Sequence, residues 1–138
     1  MTFSKVIAAI LLAGCGAGQA LAQADASRAG DGKTLFAKNC AACHQASGKG
    51  IPGAFPALAR NSFVQGPPAE VSTVLLKGRG GMPDFSNSLD DAEIAEVLSY
   101  VRGSWGNGAA PLSADEVAAQ RASLGVAAAT HGRFGNKH

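Results

Sequence analysis

One pentapeptide constrains this chain more than any other feature: Cys40-Ala41-Ala42-Cys43-His44. Two thiols three residues apart, followed at once by a histidine, form the pattern of covalent c-type haem attachment. Thiols on one helical turn can each add across a vinyl group of the porphyrin, and the histidine then faces the iron as its proximal ligand. The sequence therefore predicts one covalently bound haem c, held by Cys40, Cys43 and His44.

Three other functions of these residues stay open at this point. A zinc site would need a fourth ligand, and after the N-terminal segment the only further histidines are His131 and His138, both in a Gly-containing tail. A thioredoxin-like redox pair would need a βαβ context, and no strand pattern precedes Cys40. A structural disulfide between Cys40 and Cys43 would leave His44 without a role.

Residues 1–22 are predicted to be a cleaved signal peptide. Lys5 supplies a positive start, and residues 6–18 are apolar but too few to span a bilayer. Ala20-Leu21-Ala22 has the small-x-small pattern of a cleavage site. Export to the periplasm is therefore expected, which agrees with haem c being attached outside the cytoplasm.

Cys15 offers an alternative to that cleavage. Leu12-Ala13-Gly14-Cys15 resembles a bacterial lipobox, after which the cysteine becomes a lipidated N-terminus and residues 16–28 a tether. The apolar stretch before Cys15 is short, whereas the site after Ala22 has normal proportions. The soluble form is favoured, and a membrane tether through Cys15 is the second possibility.

Apolar spacing predicts three main helices and a weaker fourth, at about 29–40, 67–78, 90–103 and 113–124. Asp90 with Glu93, and Ser113 with Glu116, are spaced as capping boxes. No strand alternation or hairpin signal occurs, so the fold class expected is all-α. The predicted domain layout is a linker at 23–28, a haem domain at 29–107, and an extension at 108–138 with a short helix and a disordered end.

Met82 is the candidate distal ligand to the iron. It is the only methionine besides Met1, and it lies in Gly78-Arg79-Gly80-Gly81-Met82-Pro83, which belongs to no apolar stripe. Packing alone explains a methionine poorly there, whereas a glycine-rich segment can lie flat against a planar ligand and present a thioether to iron. His131 and His138 are the fallback ligands.

These elements together resemble the class I cytochromes c over residues 29–107. The matching features are Gly32 and Phe36 in the first helix, the Cys-Ala-Ala-Cys-His run, Pro56-Ala57-Leu58, Met82-Pro83, and Val97 and Tyr100 in the last main helix. The resemblance implies a small fold with three main helices around one covalently bound haem.

The same resemblance implies roles for single residues. Pro56 is expected to offer its carbonyl oxygen to the ring N–H of His44, and Leu58 to pack on the haem. Gly32 and Phe36 are expected to cross Val97 and Tyr100. Arg60 and Asn61 are candidate propionate partners or solvated loop residues, and Trp105 is expected to pack at a helix end.

The function implied is that of a periplasmic single-haem electron carrier, or of the electron-transfer subunit of a dehydrogenase complex. Its partners would be redox proteins, a dehydrogenase or a terminal oxidase, and it would not be an enzyme in its own right. The alternative is a haem protein with a labile Met82, which binds a small ligand or reduces peroxide.

The distribution of charge bears on those partners. Without Lys5 the chain has 11 basic and 10 acidic residues, so nucleic acid is not an expected partner. Residues 28–79 contain seven basic and two acidic residues, and residues 84–116 contain seven acidic and one basic residue. Such a separation gives a molecular dipole that can orient docking.

Overall fold

The computed structural model describes the backbone of residues 24–129 and the side chains of residues 32–129. The predicted signal peptide, Cys15, His131 and His138 lie outside these residues. The helices are α1 Ala24–Asn39, α2 Ala41–His44, α3 Pro68–Lys77, α4 Asp91–Arg102 and α5 Ala114–Ser123. Residues 24–129 contain no strand, only isolated bridges at Ile51–Phe55 and Arg79–Met82. The all-α fold is confirmed, and no described helix has the length and apolar character needed to cross a membrane.

Local signals in the sequence set most of the helix ends. Asp90 and Ser113 each form a complete capping box, with Glu93 and Glu116 respectively. The hydrogen bonds from Ser113 hold the pKa of Glu116 below its ordinary value. At the C-terminal end of α3, Gly78 has a φ of 73°, a left-handed conformation that glycine adopts without steric cost.

The first helix covers residues that were predicted as a linker. It is helical from Ala24, the first described residue, so residues 24–28 belong to α1. These residues contain no glycine or proline that would interrupt a helix. The helix also ends at Asn39, which leaves Cys40 between α1 and α2.

Helices α1 and α4 cross at Gly32, as predicted. A Cβ atom at Gly32 would collide with the backbone carbonyl oxygen of Glu96 and would lie 3.0 Å from Cβ of Tyr100. Only a residue without a side chain allows this approach. Phe36, one turn later, is 2% exposed and packs at 5.7 Å between ring centroids against Tyr100.

We expect Gly32→Ala to lower the free energy of unfolding of the holoprotein by about 2 kcal/mol, because the two helix backbones must separate to admit the methyl group. The better helix propensity of alanine, about 1 kcal/mol, should offset only part of that loss. Gly108→Ala is the matched control, because a Cβ there meets no atom within 4 Å. Urea denaturation measures both, and equal midpoints for the two variants would contradict the close crossing.

The segment after residue 107 belongs to the same hydrophobic core as the rest of the described chain. Leu112 is 7% exposed and Val117 is fully buried, and α5 packs on both α3 and α4. Gln120 also donates a hydrogen bond of 2.8 Å to the hydroxyl of Thr73 on α3. The predicted extension is therefore packed into the domain at least as far as α5.

Candidate haem-attachment site

The two cysteines lie on a single helical turn. Cys40 precedes α2, and its carbonyl oxygen accepts hydrogen bonds from the backbone N–H groups of Cys43 and His44, at 3.2 and 3.0 Å. The two cysteines form no disulfide with each other, and Cys40 is half-buried while Cys43 is exposed. The turn thus presents two thiols beside a histidine that is only 8% exposed.

His44 has a fixed ring orientation. Its Nδ1 lies 3.0 Å from the carbonyl oxygen of Pro56, the contact that the family resemblance implied. A carbonyl oxygen can only accept a hydrogen bond, so Nδ1 is the donor, and in the neutral imidazole Nε2 keeps the lone pair. A tautomer fixed in this way is the arrangement in which Nε2 of a histidine binds a metal.

The loop that returns Pro56 to His44 depends on two glycines. Gly50 has a φ of 62°, and a Cβ there would collide with the carbonyl oxygens of Phe55 and Pro56. Gly48 has a φ of 65°, and a Cβ there would collide with the indole of Trp105. Both positions therefore require glycine. The Gly48 carbonyl oxygen accepts the N–H groups of Leu58 and Ala59, at 2.7 and 2.9 Å.

Asn107 anchors the segment after that loop and was not predicted as a site residue. It is 7% exposed, and its amide donates to the carbonyl oxygens of Leu58 and Val101, both at 2.9 Å. Its Oδ1 accepts the backbone N–H of Asn61 at 3.0 Å. It therefore ties the Leu58 segment to the end of α4. Nothing in the local sequence distinguishes this asparagine from a polar loop residue.

Asn61 is engaged within its own loop. Its amide donates to the carbonyl oxygen of Ala57 at 2.7 Å, and its Oδ1 accepts the backbone N–H groups of Phe63 and Val64 at 2.9 and 3.2 Å. These bonds shape the chain between Leu58 and α3. The described contacts therefore indicate that Asn61 stabilises this turn.

Met82 lies in the connection between α3 and α4, residues 78–90, which we call the Met82 loop. Its backbone N–H and carbonyl oxygen pair with those of Arg79, at 3.0 and 3.1 Å. The Arg79 guanidinium carbon lies 4.8 Å from the ring centre of Phe63, on the segment that follows Leu58. The Met82 side chain is half-buried and packs against the same core as Cys40 and Leu58.

Trp105 packs at the end of α4, as predicted. Its ring centre lies 4.9 Å from that of Phe36 and 5.4 Å from that of Tyr100. This cluster joins α1, α4 and the loop at Gly48. The carbonyl oxygen of Phe36 accepts the backbone N–H of Cys40 at 2.9 Å, so the cluster is joined to the start of the attachment turn.

The protonation of Cys40 bears on the alternative functions. Burial, with a smaller contribution from Cys43, raises the pKa of the Cys40 thiol to about 11. Redox-active Cys-x-x-Cys pairs instead have a thiol whose pKa is lowered. Across residues 24–129 there is also no group of three or more histidine, cysteine or acidic side chains that could hold a metal ion, as a zinc site would need.

The residues present fit a covalently bound haem. Two cysteines outside any disulfide lie on one turn with an imidazole whose Nδ1 faces Pro56, and a thioether lies in the glycine-containing Met82 loop. Ile51 and Phe55 are both 40% exposed, large apolar side chains at the surface of the loop that carries Pro56. A porphyrin needs such apolar neighbours.

Comparison with known proteins identifies the family. The family model for cytochrome c oxidase, cbb3-type, subunit III, matches residues 27–101, more than half of the chain. Cytochrome c-552 of Thermus thermophilus is 35% identical over an alignment of 139 positions, gaps included, and the alignment covers 86% of each chain. The gluconate 2-dehydrogenase cytochrome c subunit of Pantoea cypripedii is 33% identical over 65% of this chain and 24% of its own. A solved structure of cytochrome c6 from the diatom Phaeodactylum tricornutum covers 56% of this chain and 93% of its own, with 32% identity and a TM-score of 0.48.

The Cys-x-x-Cys-His turn, the all-α fold and the match to the Thermus cytochrome along most of both chains lead to one conclusion. The chain belongs to the class I cytochromes c, carries covalently bound haem c, and is an electron-transfer protein rather than an enzyme in its own right.

Proposed function

We propose that this protein is a periplasmic one-electron carrier whose single haem is attached to Cys40 and Cys43 and ligated by His44 and Met82. The observation that carries the proposal is the buried His44 with Nδ1 bonded to Pro56, which leaves Nε2 for iron. The haem, when bound, supplies a centre that cycles between Fe(III) and Fe(II). The Pro56 carbonyl orients the imidazole and raises its basicity.

Met82 supports electron transfer rather than ligand chemistry. Its loop is closed by the paired hydrogen bonds to Arg79 and by stacking of that arginine on Phe63. A thioether is a soft donor, so it favours Fe(II) and raises the reduction potential. If His44 and Met82 both hold the iron, oxygen and peroxide would find no free binding position on it.

The charged surface favours a freely diffusing carrier. Lys38, Lys49 and Lys77 are exposed on or next to the elements that carry the attachment turn, the Pro56 loop and the Met82 loop. Exposed or half-buried acidic residues begin α4 and α5 instead. In the family, electrons leave through the haem edge where the attachment segment and the methionine loop meet. An acidic redox partner, a dehydrogenase or a terminal oxidase, would therefore be steered to that face.

The alternative is a subunit held permanently in a dehydrogenase complex, since the Pantoea relative is named as the cytochrome c subunit of a dehydrogenase. Salt dependence separates the two. A free carrier steered by charge should transfer electrons to an acidic protein partner at rates that fall as ionic strength rises, since the Debye length shrinks to about 8 Å at about 0.15 M. Rates independent of salt in stopped-flow mixing would instead favour the bound subunit.

We expect Lys49→Ala combined with Lys77→Ala to slow association with that partner by about threefold to tenfold at low salt, with an unchanged haem spectrum. Ala119→Glu combined with Ala122→Glu is the matched control: it changes net charge by the same amount at exposed positions on α5. The control should slow association by less than about twofold. Equal slowing by both pairs would show that net charge acts without a defined docking face.

A further inference from the structure

We propose that Arg121, on α5, is a positioning residue that holds the Met82 loop in its ligating conformation. The inference rests on the proposed ligation of iron by Met82. Arg121 lies after the predicted haem domain, whereas Met82 lies within it. The segment after that domain would therefore help to hold the distal ligand.

Arg121 reaches the far end of the Met82 loop with two of its hydrogen bonds and the start of α4 with a third. It is 4% exposed, and Nη1 and Nη2 donate to the carbonyl oxygens of Ser86 and Leu89, at 2.9 and 3.2 Å. Nε forms a 2.6 Å ion pair with Asp91, the first residue of α4. Nη1 also donates to the carbonyl oxygen of Ala127 at 2.7 Å.

The bonded carbonyl groups lie close to Met82 in the chain. Ser86 is four residues beyond it, is 6% exposed, and donates its hydroxyl to Asp84 at 2.7 Å. Phe85, the next residue back, is fixed by a 2.7 Å backbone hydrogen bond to Leu75 of α3. Beyond that bond, Arg121 donates hydrogen bonds from outside the loop to Ser86 and Leu89, and to Asp91 where α4 begins.

Packing alone does not explain an arginine at this position. Burial of a guanidinium is costly, and an apolar side chain of similar volume often stabilises a fold equally well. The planar fork of arginine differs in that it fixes several carbonyl oxygens at once. If the guanidinium is lost, the buried carbonyl groups of Ser86 and Leu89 lose their donor, which favours conformations in which the loop opens to water.

Opening of the loop can be measured by an external ligand that replaces Met82 on ferric iron. The test uses full-length holoprotein and titrates imidazole while following the band at about 695 nm that marks methionine ligation. Arg121→Met should raise the apparent imidazole affinity about tenfold, the effect expected for unpaired buried carbonyl groups. Arg121→Lys keeps the charge but not the planar guanidinium with its several donors, so it should raise the imidazole affinity as Arg121→Met does.

Val117→Ala is the control for general loosening, because Val117 is fully buried on the same helix and takes no part in the arginine contacts. It should lower the free energy of unfolding but change imidazole affinity by less than about twofold. Where Arg121→Met yields no holoprotein, Asp91→Ala removes only the Nε partner and should raise the affinity about threefold.

The outcomes separate this inference from the proposed function. A wild-type protein without the band at about 695 nm rejects methionine ligation, and with it the role of Arg121. A wild-type protein with the band, whose imidazole affinity is unchanged in Arg121→Met and Asp91→Ala, rejects the role of Arg121 alone. The role of Arg121 is also rejected if Arg121→Lys has the imidazole affinity of the wild type, or if Val117→Ala raises that affinity as much as Arg121→Met does.

Discussion

Haem should stay with the wild-type polypeptide through acid-acetone extraction and denaturing electrophoresis, because thioether bonds survive both treatments. Replacing either Cys40 or Cys43 with alanine should lower the yield of holoprotein by about tenfold, since loss of the group also removes a large part of the folding free energy. His44→Ala should abolish the low-spin spectrum, because it removes the imidazole that Pro56 orients.

Ala42→Ser is the matched control for these variants. Ala42 lies between the two cysteines on the same turn and is exposed, so serine adds a hydroxyl without altering either thiol. Its holoprotein yield should equal that of the wild type, as measured by the pyridine haemochrome spectrum per mole of protein. Haem that extracts freely from the wild type would reject covalent attachment at this turn.

Local sequence patterns predicted the elements whose signals are themselves local. The capping boxes at Asp90 and Ser113 begin α4 and α5, and Pro68 and Lys77 bound α3, with Gly78 after it as expected. Each depends on side chains or backbone preferences within one turn, so neighbouring residues are enough to identify it. The start of α1 was placed too late because residues 24–28 carry no such marker.

The contacts of the candidate site were predicted only where a family resemblance supplied them. The bond from His44 to Pro56 joins residues 12 positions apart, and spacing alone does not indicate it. Asn107 bonds to Leu58, 49 residues away, and Arg121 bonds to Ser86, 35 residues away. A buried asparagine or arginine looks in sequence like any surface polar residue, because its burial is decided by tertiary packing.

The composition after residue 107 did not indicate which of its residues are buried. The segment was predicted as an extension with a short helix, and in the structure Leu112 and Val117 complete the core against α3 and α4. Polar contacts also hold this segment: Arg102 of α4 donates to the carbonyl oxygen of Ala110, and Arg121 donates to those of Ser86 and Leu89. Polar anchoring of this kind leaves no hydrophobic periodicity to detect.

Met82→Ala should open the sixth coordination position of the iron. The oxidised protein should lose the band at about 695 nm, and cyanide should bind the ferric form at concentrations that leave the wild type unchanged. The reduction potential should fall by an amount on the order of 100 mV, because a donor that favours Fe(II) has been removed and axial ligands shift haem potentials over about 0.8 V. Cyclic voltammetry and ligand titration measure the two effects.

Two further variants separate ligation from packing. Met82→Leu keeps the apolar volume of the side chain against the core but removes the sulfur, so it should reproduce the spectrum and potential of Met82→Ala. Ser88→Ala changes an exposed residue of the same loop, whose hydroxyl lies 3.4 Å from the carbonyl oxygen of Phe85, and should resemble the wild type in both measurements. If the oxidised spectrum were unchanged in both Met82 variants, the distal ligand would have to come from elsewhere. His131, outside the described residues, would then be the first histidine to replace, because His44 would remain committed to the proximal side by its bond to Pro56.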